Sequence, residues 1–165
     1  MLIGSYSTSL VVISLCVAIL ASYTALDLAG RIATAKGRAV YLWITGGAVA
    51  MGVGIWSMHF IGMLALRLPF ALGFEVGITL LSLLIAVLSS GFALWLVSQP
   101  RLPAWQLAFG ALVMGAGIAS MHYTGMAAMR MTPGIDYDPA LFGASLLIAV
   151  VASGAALWIA FNLRR

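Results

Sequence analysis

The chain has 165 residues, 64% of them hydrophobic and 7% charged, with a net charge of +4. A soluble domain keeps roughly a quarter of its residues charged to stay wet. Eight Lys and Arg with four Asp and Glu cannot coat such a surface, so lipid must solvate most of it, and basic residues in short gaps between apolar runs, without a run of five or more, read as topology determinants and not as a nucleic-acid surface.

A membrane-crossing helix takes about 20 mostly apolar residues at ~1.5 Å each, and five stretches qualify. Span one covers about 8–29. Tyr6, Ser7 and Thr8 precede it in place of a basic segment, so no cleavable signal peptide is expected. It holds the single cysteine, Cys16, which excludes an intramolecular disulfide; a free thiol in an apolar run is expected in the packed core. Asp27 stands four residues before Arg31, the spacing of an interfacial ion pair on one helix face. Arg31, Lys36 and Arg38 follow, then span two at about 40–66.

Pro69 and Glu75 lie before span three, at about 77–98, and Pro100, Arg101 and Pro103 form the next break. Span four runs over 104–129. Pro133, Asp136, Asp138 and Pro139 lead into span five at about 140–162, and the chain closes on Arg164-Arg165. Short connections make consecutive helices antiparallel neighbours. The reading is an all-α membrane bundle, one domain over 1–165.

Alternate loops face opposite sides of the bilayer. Arg31, Lys36, Arg38, Arg101, Arg164 and Arg165 fall on one side, and only Arg67 and Arg130 on the other. The positive-inside rule therefore puts the N-terminus outside and the C-terminus in the cytoplasm.

An internal repeat organises the chain. A shift of 63 residues lays Gly47–Arg67 on Gly110–Arg130 with thirteen of 21 positions identical, and Ser82–Trp95 on Ser145–Trp158 with 11 of 14 identical. The unit is a helix pair, copy one at 40–98 and copy two at 104–162. Span one, through Ser14-Leu15-Cys16-Val17-Ala18, weakly resembles the second helix of the unit. Two crossings per unit make this a parallel repeat, which brings duplicated residues to one depth.

The polar and soft residues follow the repeat. The only histidines, His59 and His122, are equivalent, and every methionine after Met1 falls in Met51–Met63 or Met114–Met131. His59 shares a helix face with Met63, and His122 with Met126, at i,i+4 spacing. Met58 and Met121 lie about 100° round from their histidines. Imidazole with thioether suits copper, since soft sulfur selects Cu(I); calcium and magnesium want oxygen, and structural zinc wants several cysteines. The candidate metal ligands are His59, His122, Met63 and Met126, then Met58 and Met121. The bland alternative is an interhelical hydrogen bond cushioned by methionines. Gly52, Gly54 and Gly62, with Gly115, Gly117 and Gly125, are expected to let spans two and four approach closely. His59 and His122 each lie eight residues before an arginine, ~12 Å of helix from the outer boundary.

Met121-His122-Tyr123-Thr124 resembles in full the motif of the MHYT domain, a bacterial integral-membrane module. Met58-His59-Phe60-Ile61 departs from it at the third and fourth positions. The resemblance implies a sensory module of the bacterial inner membrane that binds copper near the outer face. It further implies sensing of oxygen, carbon monoxide or nitric oxide, with relay to a cytoplasmic output of cyclic-di-GMP or kinase type. That family usually carries three motif copies over six or seven helices, whereas this sequence has two over five, so it is expected to be a piece of a longer protein. A bis-histidine haem or electron-transfer protein is the competing reading. Copper transport is a third, weakened because Asp27, Thr24 and a few serines are the only polar groups in the cytoplasmic halves. No enzymatic constellation is present: neither histidine has a carboxylate or nucleophile near it in sequence.

Overall fold

A computed structural model describes residues 5–67, 73–130 and 136–164. Pro69, Met131, Pro133 and Arg165 lie outside the described residues. The five expected spans form helices α1 (Thr8–Thr34), α2 (Arg38–Leu64), α3 (Val76–Val97), α4 (Ala104–Ala127) and α5 (Pro139–Leu163), each long and apolar enough to cross a membrane. Much of the large apolar side-chain surface is exposed, as lipid solvation requires.

The main departure in the helices is the end of α1. It runs five residues past the expected boundary: Ile32 is buried against Leu28 and Leu94 in this last stretch, while on the outside Arg31 Nε reaches Asp27 Oδ2 at 2.6 Å and its guanidinium lies 5.2 Å over the Trp43 ring. The connection shrinks to residues 35–37, where Gly37 takes φ 57°, a left-handed turn that suits glycine. Cys16 also differs from expectation: it is exposed on α1, turned away from the core.

Four two-residue strands cluster at the other end of the bundle: β1 (Ser5–Tyr6), β2 (Leu66–Arg67), β3 (Gly73–Phe74) and β4 (Met129–Arg130). β1 pairs with β2 and β3 with β4, both antiparallel. Beside them Ser7 N–H donates to Ala65 O and Glu75 N–H to Ala128 O, each at 2.8 Å. The entry to α1 is thus tied to the exit of α2 just as the entry to α3 is tied to the exit of α4. Span one occupies the place of a unit's second helix. Aligning Ser7 with Glu75 sets Ser14 on Ser82, Ala18 on Ala86, Ser22 on Ser90 and Ala25 on Ala93.

The repeat extends to the caps. Glu75 accepts from Ile78 N–H at 2.6 Å, and Asp138, 63 residues on, accepts from Ala140 and Leu141 N–H, with Pro139 opening α5. Helix α2 packs between α1 and α3, and α4 between α3 and α5.

This arrangement corrects the reading of the glycines. Helices α2 and α4 barely touch along their length, because α3 stands between them. A Cβ at Gly52 would lie 2.6 Å from Val87 Cα on α3, and one at Gly115 2.7 Å from Val150 Cα on α5. Gly54 faces Ala21 on α1, and Gly117 faces Ser89 on α3. These four seat α2 and α4 against the odd-numbered helices, where close backbone approach gains dispersion contact without help from water. Gly62 faces Ser14 of α1; Gly125 alone serves the contact between α2 and α4.

Candidate functional site

Helices α2 and α4 converge only near the stranded end, and there the two histidines meet. His59 and His122 each precede their strand by seven residues, ~10 Å of helix. Their ring centroids are 4.8 Å apart with planes at 60°, and both side chains are half-buried. His59 leans across onto α4: a Cβ on Gly125 would come within 2.9 Å of His59 Nε2. That Nε2 is buried and has no hydrogen-bond partner among the described residues. A buried polar atom without a partner costs free energy unless something satisfies it.

Aromatic side chains wall the pair on both repeats alike. Phe60 stands edge-on to His59 at 5.5 Å, and Tyr123 edge-on to His122 at 5.0 Å. Each is covered in turn from the segment preceding the next helix, Phe60 by Phe74 at 5.6 Å and Tyr123 by Tyr137 at 5.4 Å. Burial, and then the neighbouring Tyr123, push the Tyr137 phenol above its ordinary value.

Serines pin this layer to the odd-numbered helices. Ser82 Oγ donates to Thr79 O at 2.7 Å and accepts from Trp56 Nε1–H at 3.0 Å. Ser145 Oγ donates to Phe142 O at 2.7 Å, which leaves it the acceptor from Tyr123 O–H at 2.6 Å. On α1 the equivalent Ser14 donates to Met58 O at 2.9 Å. The hydroxyl at the motif's third position is therefore committed to holding α4 on α5, which leaves the imidazole face free of it.

The structure brings His59 and His122 together. Met121 is buried, and Met58, Met63 and Met126 are partly buried on the same two helices. Among the described residues no group of three or more His, Cys, Asp or Glu is placed to hold a metal ion; the histidine pair and the thioethers of the two helices are the donors this end of the bundle offers. Sequence reasoning missed Phe74, Tyr137, Ser14, Ser82 and Ser145. The signal was available in the register: Phe74 and Tyr137 are 63 apart, as are Ser82 and Ser145.

Comparison with known proteins finds the same repeat in the sequence. A family profile, MHYT, bacterial signalling protein N terminal repeat, matches residues 52–110 and 115–165, starting 63 residues apart. The chain is 68% identical over 164 residues to the bifunctional diguanylate cyclase/cyclic di-GMP phosphodiesterase MucR of Pseudomonas aeruginosa, covering 99% of this chain and 24% of that protein. It is 45% identical over 154 residues to the cyclic di-GMP phosphodiesterase NbdA of the same organism, covering 93% and 19%. Against the signaling protein YkoW of Bacillus subtilis identity is 38% over 159 residues, covering 96% and 20%. The chain spans about a quarter or less of the length of these curated relatives. No solved structure matches it.

Proposed function

Since this chain belongs to the MHYT family of bacterial signalling repeats, we propose that it is the membrane-embedded sensory module of a cyclic-di-GMP signalling protein and that copper at His59 and His122 is its sensing centre. The observation that carries the metal reading is the buried Nε2 of His59, without a hydrogen-bond partner among the described residues, beside the His122 ring. Two imidazoles flanked by thioethers form a soft donor set that favours Cu(I). Met63 and Met126 are the sulfur ligands of first choice, with Met58 and Met121 next.

Copper would supply a redox-active centre open to a diatomic ligand such as oxygen, carbon monoxide or nitric oxide. The chain's own residues do the rest. His59 and His122 hold the ion, Gly125 lets His59 cross to the other repeat, and Phe60, Phe74, Tyr123 and Tyr137 keep water from the rings. The haem alternative is less well supported, because rings with centroids 4.8 Å apart leave no slot for a flat macrocycle between them.

Relay needs a path to the other end of the bundle. There Arg164, closing α5, donates to Val97 O and to Gln99 O, the latter at 2.7 Å, joining the ends of α5 and α3. We place that end in the cytoplasm, with a diguanylate cyclase or phosphodiesterase output of the kind named in MucR and NbdA. Metal analysis of protein purified without a polyhistidine tag, under reducing conditions, tests the centre. About one copper per chain is expected; none would overturn it.

A further inference from the structure

Each motif helix lies between two odd-numbered helices and meets them through equivalent residues. Gly52 of α2 is seated on Val87 of α3, and Gly115 of α4 on Val150 of α5. On the other flank Gly54 of α2 faces Ala21 of α1, and Gly117 of α4 faces Ser89 of α3. The alignment of Ser7 with Glu75 sets Ile19 of α1 on Val87 and Ala21 on Ser89, and Ser89 stands 63 residues before Ala152 of α5. Each kind of seat thus recurs on all three odd-numbered helices and carries a motif helix on two of them. The third seat of the first kind is Ile19, 67% exposed; that of the second is Ala152, also exposed. Their neighbours behave differently. Leu20, Leu88 and Val151, the next equivalent set, are exposed alike at 65%, 64% and 64%, as an outward row on every copy should be.

Both uncovered seats border one groove. The odd-numbered helices meet at the end opposite the strands, through Ala29 of α1, Val97 of α3 and Leu157 of α5. Helices α1 and α5 then flank a groove, with Ala152 in its wall, as α1 and α3 flank α2. The strand end repeats the pattern. Ser7 N–H is paired with Ala65 O at the end of α2, and Glu75 N–H with Ala128 O at the end of α4. Asp138 is next in that series, and its N–H has no backbone partner among the described residues. Asp136 and Tyr137, 63 residues on from Gly73 and Phe74 of β3, join no strand there.

We propose that the groove between α1 and α5 seats a third helix of the α2 and α4 type, antiparallel to both. It sets one small residue on Ile19 and another, two positions on, against Ala152, and its exit pairs with Asp136 and Tyr137. Small residues at both points let the backbones close, which holds membrane helices together by dispersion contact. A lipid chain would also cover the groove, but it brings no backbone carbonyl to Asp138. The proposal needs no metal at the histidines.

The test adds a synthetic peptide of residues 104–130, with photomethionine in place of Met114, to the protein in lipid nanodiscs. After illumination, adducts mapped by mass spectrometry are expected on α1 and α5, and exchange of the Asp138 amide should slow at least threefold. Ala152→Trp should cut crosslinking at least threefold, whereas Val151→Trp on the outward row should leave it unchanged. A peptide carrying Gly115→Leu and Gly117→Leu should fail to crosslink, and it answers the question without altering the protein if Ala152→Trp does not fold. Crosslinking indifferent to Ala152→Trp and to the two leucines, as exchange with α4 or chance contact in the bilayer would give, would overturn the seat. So would an Asp138 amide that exchanges as fast with the peptide as without it.

Discussion

His59 Nε2 lies 2.9 Å from the point where a Cβ on Gly125 would stand, so a ring carried by one repeat is seated on the backbone of the other. Gly125→Ala should push the imidazole off this seat and out of register with His122. A misfit of this kind typically costs about 1–3 kcal/mol. The matching change, Gly62→Ala, sets its Cβ 3.6 Å from Ser14 Oγ and should be tolerated. Thermal melts of both variants in detergent, with copper content measured alongside, compare the two; equal behaviour would remove the seat from the argument.

The ligand assignment separates methionines by position. His122→Ala should abolish copper retention and leave a folded protein, and Met126→Leu should weaken retention. Met129→Leu only copies Leu66 at the equivalent repeat position and should leave it unchanged. Retention by the His122→Ala protein would end the metal reading.

Helix seating makes a separate prediction about stability. Gly52→Ala and Gly115→Ala place a Cβ against the backbone of Val87 and Val150, which cannot give way as a flexible side chain does. Each should lower the melting temperature in detergent by several degrees. Gly143 meets nothing within 4 Å, and Gly143→Ala should hold or raise it through better helix propensity.

Orientation rests on the basic residues at the end opposite the strands. Single cysteines at positions 36 and 101, in a Cys16→Ser background, should react with an impermeant maleimide only after the cells are opened. Labelling of either in intact cells would invert the topology.

The cap of α3 should titrate. Hydrogen bonds from the Ile78 and Gly77 N–H groups hold the Glu75 carboxyl below its ordinary value of 4.5. A carboxylate depressed in the folded state stabilises it fully above its unfolded pKa and loses that contribution as pH falls through the lower folded value. Protection of the Ile78 amide from hydrogen exchange, corrected for intrinsic rate, should therefore be flat above about pH 5 and fall in more acid solution. In Glu75→Gln the acid step should vanish.

Period and hydropathy alone determined the five spans, since lipid asks each helix only for length and apolarity. The 63-residue register likewise placed His59 and His122 at one depth, because equal shifts along parallel copies preserve height. Sequence could not say what each glycine faces. Gly52, Gly54, Gly115 and Gly117 lie on the motif helices beside the histidines, yet they pack on α1, α3 and α5. The choice between neighbours is made by how five cylinders share contact area. Tertiary packing also decided that Cys16 faces outward and that Phe74 and Tyr137 close over the aromatic partners of the histidines. These are relations between separate elements of the fold, and they arise only once the bundle has closed around its own axis.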